Sequence, residues 1–447
     1  MLNTSGVVFL QLGAMAALAL YVAANLGAND VANSMGTSVG SKALTLRQAI
    51  IVAGILEFSG AVLFGQEVSE TLATGVVNEE MFAAKPQLFL IGMVSVLIAC
   101  GLWLQIATSR GLPVSSSHAV VGAIAGFSWV AAGINAVDWP AIGTISLTWV
   151  ATPFASGVLA ALFYSGVKYW ILDRPDPLFQ LREWIPWLSA GMLSVFGIIV
   201  LPSVVDVALV QTGAIDFVRD RFGWNIPVHD FAIGIGGIGA IGLTLNSWKK
   251  LGLAGGHGGL EGGHGGTAPT TGGTNATVIE QQMARFQVIS ACFVAFAHGS
   301  NDVGNAVAPL AAIAYIRRTG SLPLEGFSVP LWILVLGGAG IVIGLAIWGE
   351  KVIATVGEGI IQLQPSGGFC AELATATTVL LASDLGLPVS TSHALVGAVV
   401  GVGLVKGWKS VRWQTLLSIG SAWLVTIPIA AGLAAIVFSI VRSIARL

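Results

Sequence analysis

Residues 111–126 read GLPVSSSHAVVGAIAG, and residues 386–401 read GLPVSTSHALVGAVVG. The two stretches differ only at Ser116/Thr391, Val120/Leu395, Ile124/Val399 and Ala125/Val400, all conservative changes. A second pair accompanies them: GANDVAN, Gly27 to Asn33, is answered by GSNDVGN, Gly299 to Asn305. The offset is 272 residues between Asn29 and Asn301 and 275 between Ser115 and Ser390. Two motifs recurring in one order at nearly one spacing mark a duplicated domain. The function is therefore to be sought where the copies meet.

The repeated stretch carries its own conformational instructions. Pro113 and Pro388 suit the first turn of a helix and not its interior. The hydroxyls that follow, Ser115, Ser116 and Ser117 in one copy and Ser390, Thr391 and Ser392 in the other, are cap residues. A small-residue helical run comes next, but only about a dozen apolar residues long, too few to cross a bilayer. The order predicts a chain break and then a re-entrant helix. Non-helical backbone at membrane depth survives only where protein or a wet cavity satisfies it. A helix start offers unpaired N–H groups and the positive end of a dipole, so two such starts aimed at one point make an anion site. His118 and His393 are expected as packed, hydrogen-bonded residues more than as proton carriers.

Composition sets the environment. The chain has 447 residues, 55% hydrophobic and 9% charged, with mean hydropathy +0.84. A soluble domain carries roughly 25% charged residues. Apolar runs lie near 7–28, 48–66, 88–107, 141–170, 186–210, 230–248, 284–298, 329–349, 367–383 and 414–441. The expected fold is an all-α polytopic membrane protein with about ten to twelve membrane segments and broken or re-entrant helices. The first run has no basic residues before it and continues into the Asn29–Asp30 motif, as a retained span does and a cleaved leader does not. Lys42 and Arg47 follow that run, and Glu67, Glu70, Glu79 and Glu80 fill the next loop, which puts the N-terminus outside. A net charge of −2 with scattered basic residues suggests no nucleic-acid partner. Cys100, Cys292 and Cys370 all fall in apolar runs, which argues against a disulfide framework.

Residues 1–248 form the first half, with repeat one and additional spans. A Gly/Thr-rich stretch, 249–284, reads as a cytoplasmic linker flanked by Lys249, Lys250 and Arg285, and residues 285–447 form the second half. His257 and His264 in the linker make only a weak metal site.

The Asn–Asp motifs place polar groups inside apolar runs. Asn29 and Asn33 share a helical face, as do Asp30 and Ser34. A carboxylate at the bilayer centre costs at least about 2.5 kcal/mol and usually lines an ion path. Asp30 and Asp302 would repel an anion unless a cation or a proton sits between them. The oxygens of Asn29, Asp30, Asn33, Asn301, Asp302 and Asn305, beside freed backbone carbonyls, suit Na⁺. Cation binding would then admit the anion. Glu57 and Glu372 are further intramembrane acids without counterparts, equally readable as ion ligands or helix contacts.

GANDVANSMGTSVGSKALTLRQA, HGSNDVGNAVAP and GFCAELATATTVLLASDLGLPVSTSHALVGAVVGVG resemble the signatures of the inorganic phosphate transporter family. The likeness covers both halves apart from the linker. It implies inverted repeats, a homodimer in the plasma or inner membrane, and symport of inorganic phosphate with Na⁺ or H⁺. It implies no enzyme activity and no cofactor beyond the coupling ion. Carried over, Asn29, Asp30, Asn301 and Asp302 serve the cation and phosphate sites, and Ser115–Ser117 with Ser390, Thr391 and Ser392 hold phosphate. Glu57 and Glu372 match functionally sensitive glutamates. Gly304 stands where the first copy has Ala32, and is expected to loosen local packing. Sulfate is the nearest alternative substrate. Phosphate at neutral pH keeps a proton to donate to a carboxylate and sulfate does not, so Asp30 and Asp302 favour phosphate. An anion channel would need weak serial sites, whereas this sequence offers one concentrated constellation. An enzyme would need a nucleophile with its base, for which Ser115 and His118 can be proposed, but no motif supports a full triad.

Overall fold

The computed structural model describes residues 4–202, 221, 228–255, 272–323, 326–356 and 360–445. The helices are α1 (Thr4–Gly40), α2 (Leu46–Phe64), α3 (Gln66–Thr74), α4 (Glu80–Ala83), α5 (Pro86–Ser109), α6 (Ser116–Ala132), α7 (Trp139–Val167), α8 (Pro177–Ile199), α9 (Val228–Gly255), α10 (Gly272–Thr319), α11 (Leu331–Val356), α12 (Pro365–Asp384), α13 (Thr391–Lys406) and α14 (Trp413–Ala445). Among the described residues there is no strand, only an isolated bridge between Val77 and Val137. Among the described residues, seven helices are long and apolar enough to cross a membrane by length and composition: those of α1, α2, α5, α7, α9, α11 and α14. Helices α10 and α12 are long as well, but carry the polar groups of the site. The outer surface is apolar, with Phe154 76% and Leu424 75% exposed, while the buried set contains carboxylates, amides and hydroxyls. This inverts the soluble pattern, as a lipid solvent requires.

Helix α9 runs to Gly255 and α10 begins at Gly272, so helix enters the expected linker from both ends. Residues 256–271, with His257 and His264, lie outside the described residues.

The GLPVS stretches fold as their residues dictate. After α5, Gly111 takes φ 65°, and after α12, Gly386 takes φ 65°, a left-handed conformation that favours glycine. Each closes the preceding helix with a paired backbone bond. Leu112 N donates to Ala107 O and Leu387 N to Ala382 O, both at 2.9 Å, and the glycine N–H groups bond to Thr108 O and Ser383 O at 3.0 Å, a Schellman end. Proline then bars further helix. Ser115 and Ser390 cap α6 and α13, accepting from His118 N at 3.3 Å and His393 N at 3.4 Å. With 17 and 16 residues, these helices are roughly 25 Å long, short of a bilayer's hydrocarbon thickness.

The Asn–Asp motifs behave differently. They lie within the uninterrupted helices α1 and α10, so their carbonyls stay in the helical ladder. The freed carbonyls expected beside them belong instead to the GLPVS breaks. Helix survives here because the motif glycines admit a neighbouring backbone. A Cβ on Gly27 would fall on the carbonyl of Ile341, and one on Gly344 on that of Ala24. In the other half a Cβ on Gly299 would fall on the carbonyl of Glu57, and one on Gly60 on that of Phe296. Thus α1 packs on α11 and α10 on α2, each motif helix against the second helix of the opposite half. The short helices cross in the same way, α6 on α14 and α13 on α7. Gly304 does not loosen this packing: a Cβ there would meet Ser69 N and Val68 Cγ1 at 3.2 Å, so the glycine lets α3 lie close. Overpacking such contacts typically costs about 1–3 kcal/mol. Gly27→Ala and Gly299→Ala are therefore expected to lower the unfolding temperature of the detergent-solubilised protein, whereas Gly191→Ala, with open space around it, should not.

Candidate functional site

The site is assembled where α1, α10 and the starts of α6 and α13 converge. Asp30, His298 and Asp302 place one ligand atom each within 4.8 Å of one another. The two motif aspartates, 272 residues apart in sequence, are thus neighbours. Ser117 Oγ donates to Val389 O at 2.9 Å, and Asn305 Nδ2 donates to Ser116 Oγ and Ser117 Oγ, both at 3.2 Å. Thr391 Oγ1 donates to Asp302 Oδ2 at 2.8 Å. The starts of the two short helices therefore meet beside the aspartate pair. Every one of these side chains is at most 6% exposed.

The asparagines preceding the aspartates serve as clamps. Asn29 Nδ2 donates to Thr108 Oγ1 at 3.1 Å and Leu112 O at 3.3 Å. Asn301 Nδ2 repeats this on Ser383 Oγ at 3.0 Å and Leu387 O at 3.1 Å. Each ties its motif helix to the break that launches a short helix and satisfies a carbonyl the break has freed. Asn33 Nδ2 holds Asp30 Oδ1 at 3.1 Å.

What remains unpaired shows what the site can take. Asn29 Oδ1, Asn301 Oδ1, Asn305 Oδ1, Asp30 Oδ2 and Asp302 Oδ1 are buried without hydrogen-bond partners. All five are acceptor oxygens, costly to leave so, and of the type that a hard cation takes as ligands. No Lys or Arg is among the buried residues described. Positive potential for an anion comes instead from the first-turn N–H groups of α6 and α13. Ser390 Oγ and Ser392 Oγ, paired at 2.9 Å, add donors there.

His298 was not singled out by its sequence position. Its Nδ1 lies 3.2 Å from Glu57 Oε2 and its Nε2 3.0 Å from Asp302 Oδ2, all fully buried or nearly so. Glu57 Oε1 also accepts from Ser34 Oγ at 2.8 Å. The signal available was the spacing: His298 stands one helical turn before Asp302, where the first copy has Leu26. Glu372 forms a separate cluster, accepting from Thr37 Oγ1 at 2.6 Å, Ser38 Oγ at 2.7 Å, Gln287 Nε2 at 3.1 Å and Ser290 Oγ at 2.7 Å. Gln287 and Ser290 were likewise not foreseen. His118 and His393 are packed and hydrogen-bonded: His118 Nδ1 contacts Trp423 O at 3.2 Å and its ring lies 3.9 Å from Trp149. His393 mirrors this on Trp149 O at 3.0 Å and Trp423 at 3.7 Å.

The Phosphate transporter family matches residues 26–434. A Haemophilus influenzae protein is 38% identical over 432 residues, 96% of each chain. Inorganic phosphate transporter 2-1, chloroplastic, of Arabidopsis thaliana is 40% identical over 428 residues, 93% of this chain and 70% of the plant protein. Among solved structures, the sodium-dependent phosphate transporter superposes with a TM-score of 0.79 at 35% identity, covering 97% of this chain and 99% of that one.

Proposed function

The chain belongs to the Phosphate transporter family, a multi-pass membrane family of transporters and not of enzymes, and from that premise we propose that it is a symporter moving inorganic phosphate with Na⁺. The observation that carries this reading is the meeting of Asp30 and Asp302, one from each copy, beside the starts of both short helices. A site of paired carboxylates repels a lone anion. Filling the unpartnered oxygens with Na⁺ removes that repulsion, so cation and phosphate bind together and neither is carried efficiently alone. This is coupling by mutual stabilisation. The Na⁺ ligands are Asn29, Asp30, Asn33, Asn301, Asp302 and Asn305. The hydroxyls of Ser115–Ser117, Ser390, Thr391 and Ser392 with the adjoining helix N–H groups hold phosphate, whose own proton is donated to an aspartate. Protonation of the same carboxylates is the route by which H⁺ replaces Na⁺.

Glu57 acts through His298, and Glu372, ringed by three hydroxyls and an amide, offers a further oxygen-rich cation position. Alternating access rocks the two crossed repeats, inverted with respect to each other, around the buried site. The working form is a homodimer in the plasma or inner membrane.

Uptake of labelled phosphate into liposomes bearing the purified protein tests this. An imposed Na⁺ gradient is expected to accelerate uptake at least tenfold, with excess sulfate competing weakly. Uptake indifferent to both Na⁺ and pH gradients defeats the symport reading, and sulfate displacing phosphate at equal concentration would make this a sulfate permease.

A further inference from the structure

The far end of α1 leads into a basic cavity that the mechanism above does not use. It has a volume of about 710 Å³, and its lining includes Lys42, Lys168, Lys406, Arg412, Gln362 and Gln364. Lys406 Nζ lies 5.5 Å over the Tyr164 ring, which holds the ammonium at the wall. No acidic side chain lines the cavity among the described residues. The nearby Glu280 accepts from Ser366 N at 2.9 Å and Ser366 Oγ at 2.8 Å and keeps a charge that offsets part of that on Lys406, so the positive character of the cavity rests chiefly on Lys42 and Lys168. This volume is within the usual range of small-molecule sites.

The duplication supplies an internal control. Asp138, just before α7, donates its N–H to Val76 O at 3.2 Å, and Arg412, just before α14, donates its N–H to Ile360 O at 3.1 Å. Local structure is repeated, but charge is reversed. Beside Asp138 lies a cavity of about 910 Å³ whose lining includes Asn78, Glu79, Glu80 and Leu387. The acidic cavity takes in the start of α7 at Ala141, Thr144 and Ile145, whereas the basic one takes in its end at Tyr164 and Lys168. Helix α7 has 29 residues, so the two mouths stand roughly 40 Å apart, on opposite faces. The basic mouth also adjoins the buried polar file. Gly40 and Lys42 in its lining flank Ser41, whose Oγ donates to Gln287 Oε1 at 2.7 Å. Gln287 in turn donates to Glu372, which binds Thr37 and Ser38 on α1, two turns beyond Asp30.

We propose that this basic cavity is a second binding site for inorganic phosphate, at the mouth through which the anion passes between the buried site and the basic face. The inference rests on the phosphate reading of the buried site. A concave cavity lined by one sign of charge concentrates the opposite ion. The acidic mouth accordingly gathers cations and the basic mouth gathers phosphate. By the positive-inside tendency the basic face is cytoplasmic, so the cavity holds the anion after its release.

The test uses the full chain with Lys42→Gln and Lys168→Gln combined, neither residue belonging to the Asn–Asp or GLPVS motifs. In oriented proteoliposomes of phosphatidylcholine, the KM for labelled phosphate presented at the basic face is expected to rise about tenfold. The KM at the acidic face and the maximal rate should stay unchanged. An unaltered basic-face KM overturns the proposal. So does an effect that arises only when anionic phosphatidylglycerol is added to the vesicles, since the cations would then hold lipid headgroups. Direct titration of inorganic phosphate into the detergent-solubilised Asp302→Asn protein reads the cavity without transport. Binding that the two lysine changes weaken supports the site even if no coupled uptake is found, and binding they leave unaltered overturns it.

Discussion

Asp30→Asn is expected to abolish Na⁺-stimulated phosphate uptake while leaving the protein folded. Asn33 Nδ2 donates to Asp30 Oδ1, the Ser116 hydroxyl lies beside the same carboxylate, and Oδ2 is buried without a close partner. The replacement removes the negative charge but keeps the shape, and Asn33 can still donate to the new amide oxygen. Loss of a charge facing a desolvated counterion costs about 2–5 kcal/mol, which corresponds to roughly thirty-fold to several thousand-fold in affinity for the cation. Asp302→Asn should be as damaging to uptake and also lower stability, because Asp302 Oδ2 accepts from Thr391 and faces His298 at 3.0 Å. Initial rates with Na⁺ varied at fixed pH, and pH varied without Na⁺, separate the two coupling ions. Wild-type Na⁺ stimulation in Asp30→Asn would remove that carboxylate from the cation site.

The second large effect is expected at His298. Its ring stands between Glu57 and Asp302, at 3.2 Å and 3.0 Å, with none of the three meaningfully exposed. His298→Ala removes the ring that separates the two carboxylates and leaves each with a single hydroxyl donor, Ser34 Oγ on Glu57 and Thr391 Oγ1 on Asp302. Breaking a buried charged contact by removing one partner costs about 3–5 kcal/mol, a large share of the usual 5–15 kcal/mol of a folded domain. The variant should melt far earlier in detergent and carry no phosphate. Adding Glu57→Gln to His298→Gln replaces two of the three members by neutral amides, leaves Asp302 with a donor from the new amide, and should recover much of the thermal stability without recovering uptake. If His298→Ala unfolds at the wild-type temperature, the bridge between α2 and α10 does not hold those helices together.

Some of this architecture is readable in short windows. The duplication is a matter of matching residues. The membrane setting follows from run lengths and the scarcity of charge. The break and restart at GLPVS follow from Gly111, Pro113 and Ser115 acting within a few residues of themselves, and Gly386, Pro388 and Ser390 do the same. Such effects are local: a left-handed φ, a missing N–H and a hydroxyl cap depend on the backbone immediately beside them.

Partnerships across the fold were not readable in this way. That Asn29 and Asn301 clamp the breaks, that His298 joins Glu57 to Asp302, and that Glu372 is held by hydroxyls more than 330 residues away all depend on which helix faces lie together. The sequence shows many small-residue faces of similar character and does not rank them. Packing selects among them, because two backbones approach closely enough for the halves to interlock at Gly27, Gly60, Gly299 and Gly344, and again at Gly126, Gly397 and Gly401 where the short helices cross their partners. Residues alone determined the membrane class, the duplication and where each short helix starts. The crossed pairing of the halves, and with it the company each buried carboxylate keeps, was decided by tertiary contact, since a buried charge is tolerated only where distant chain segments bring it donors.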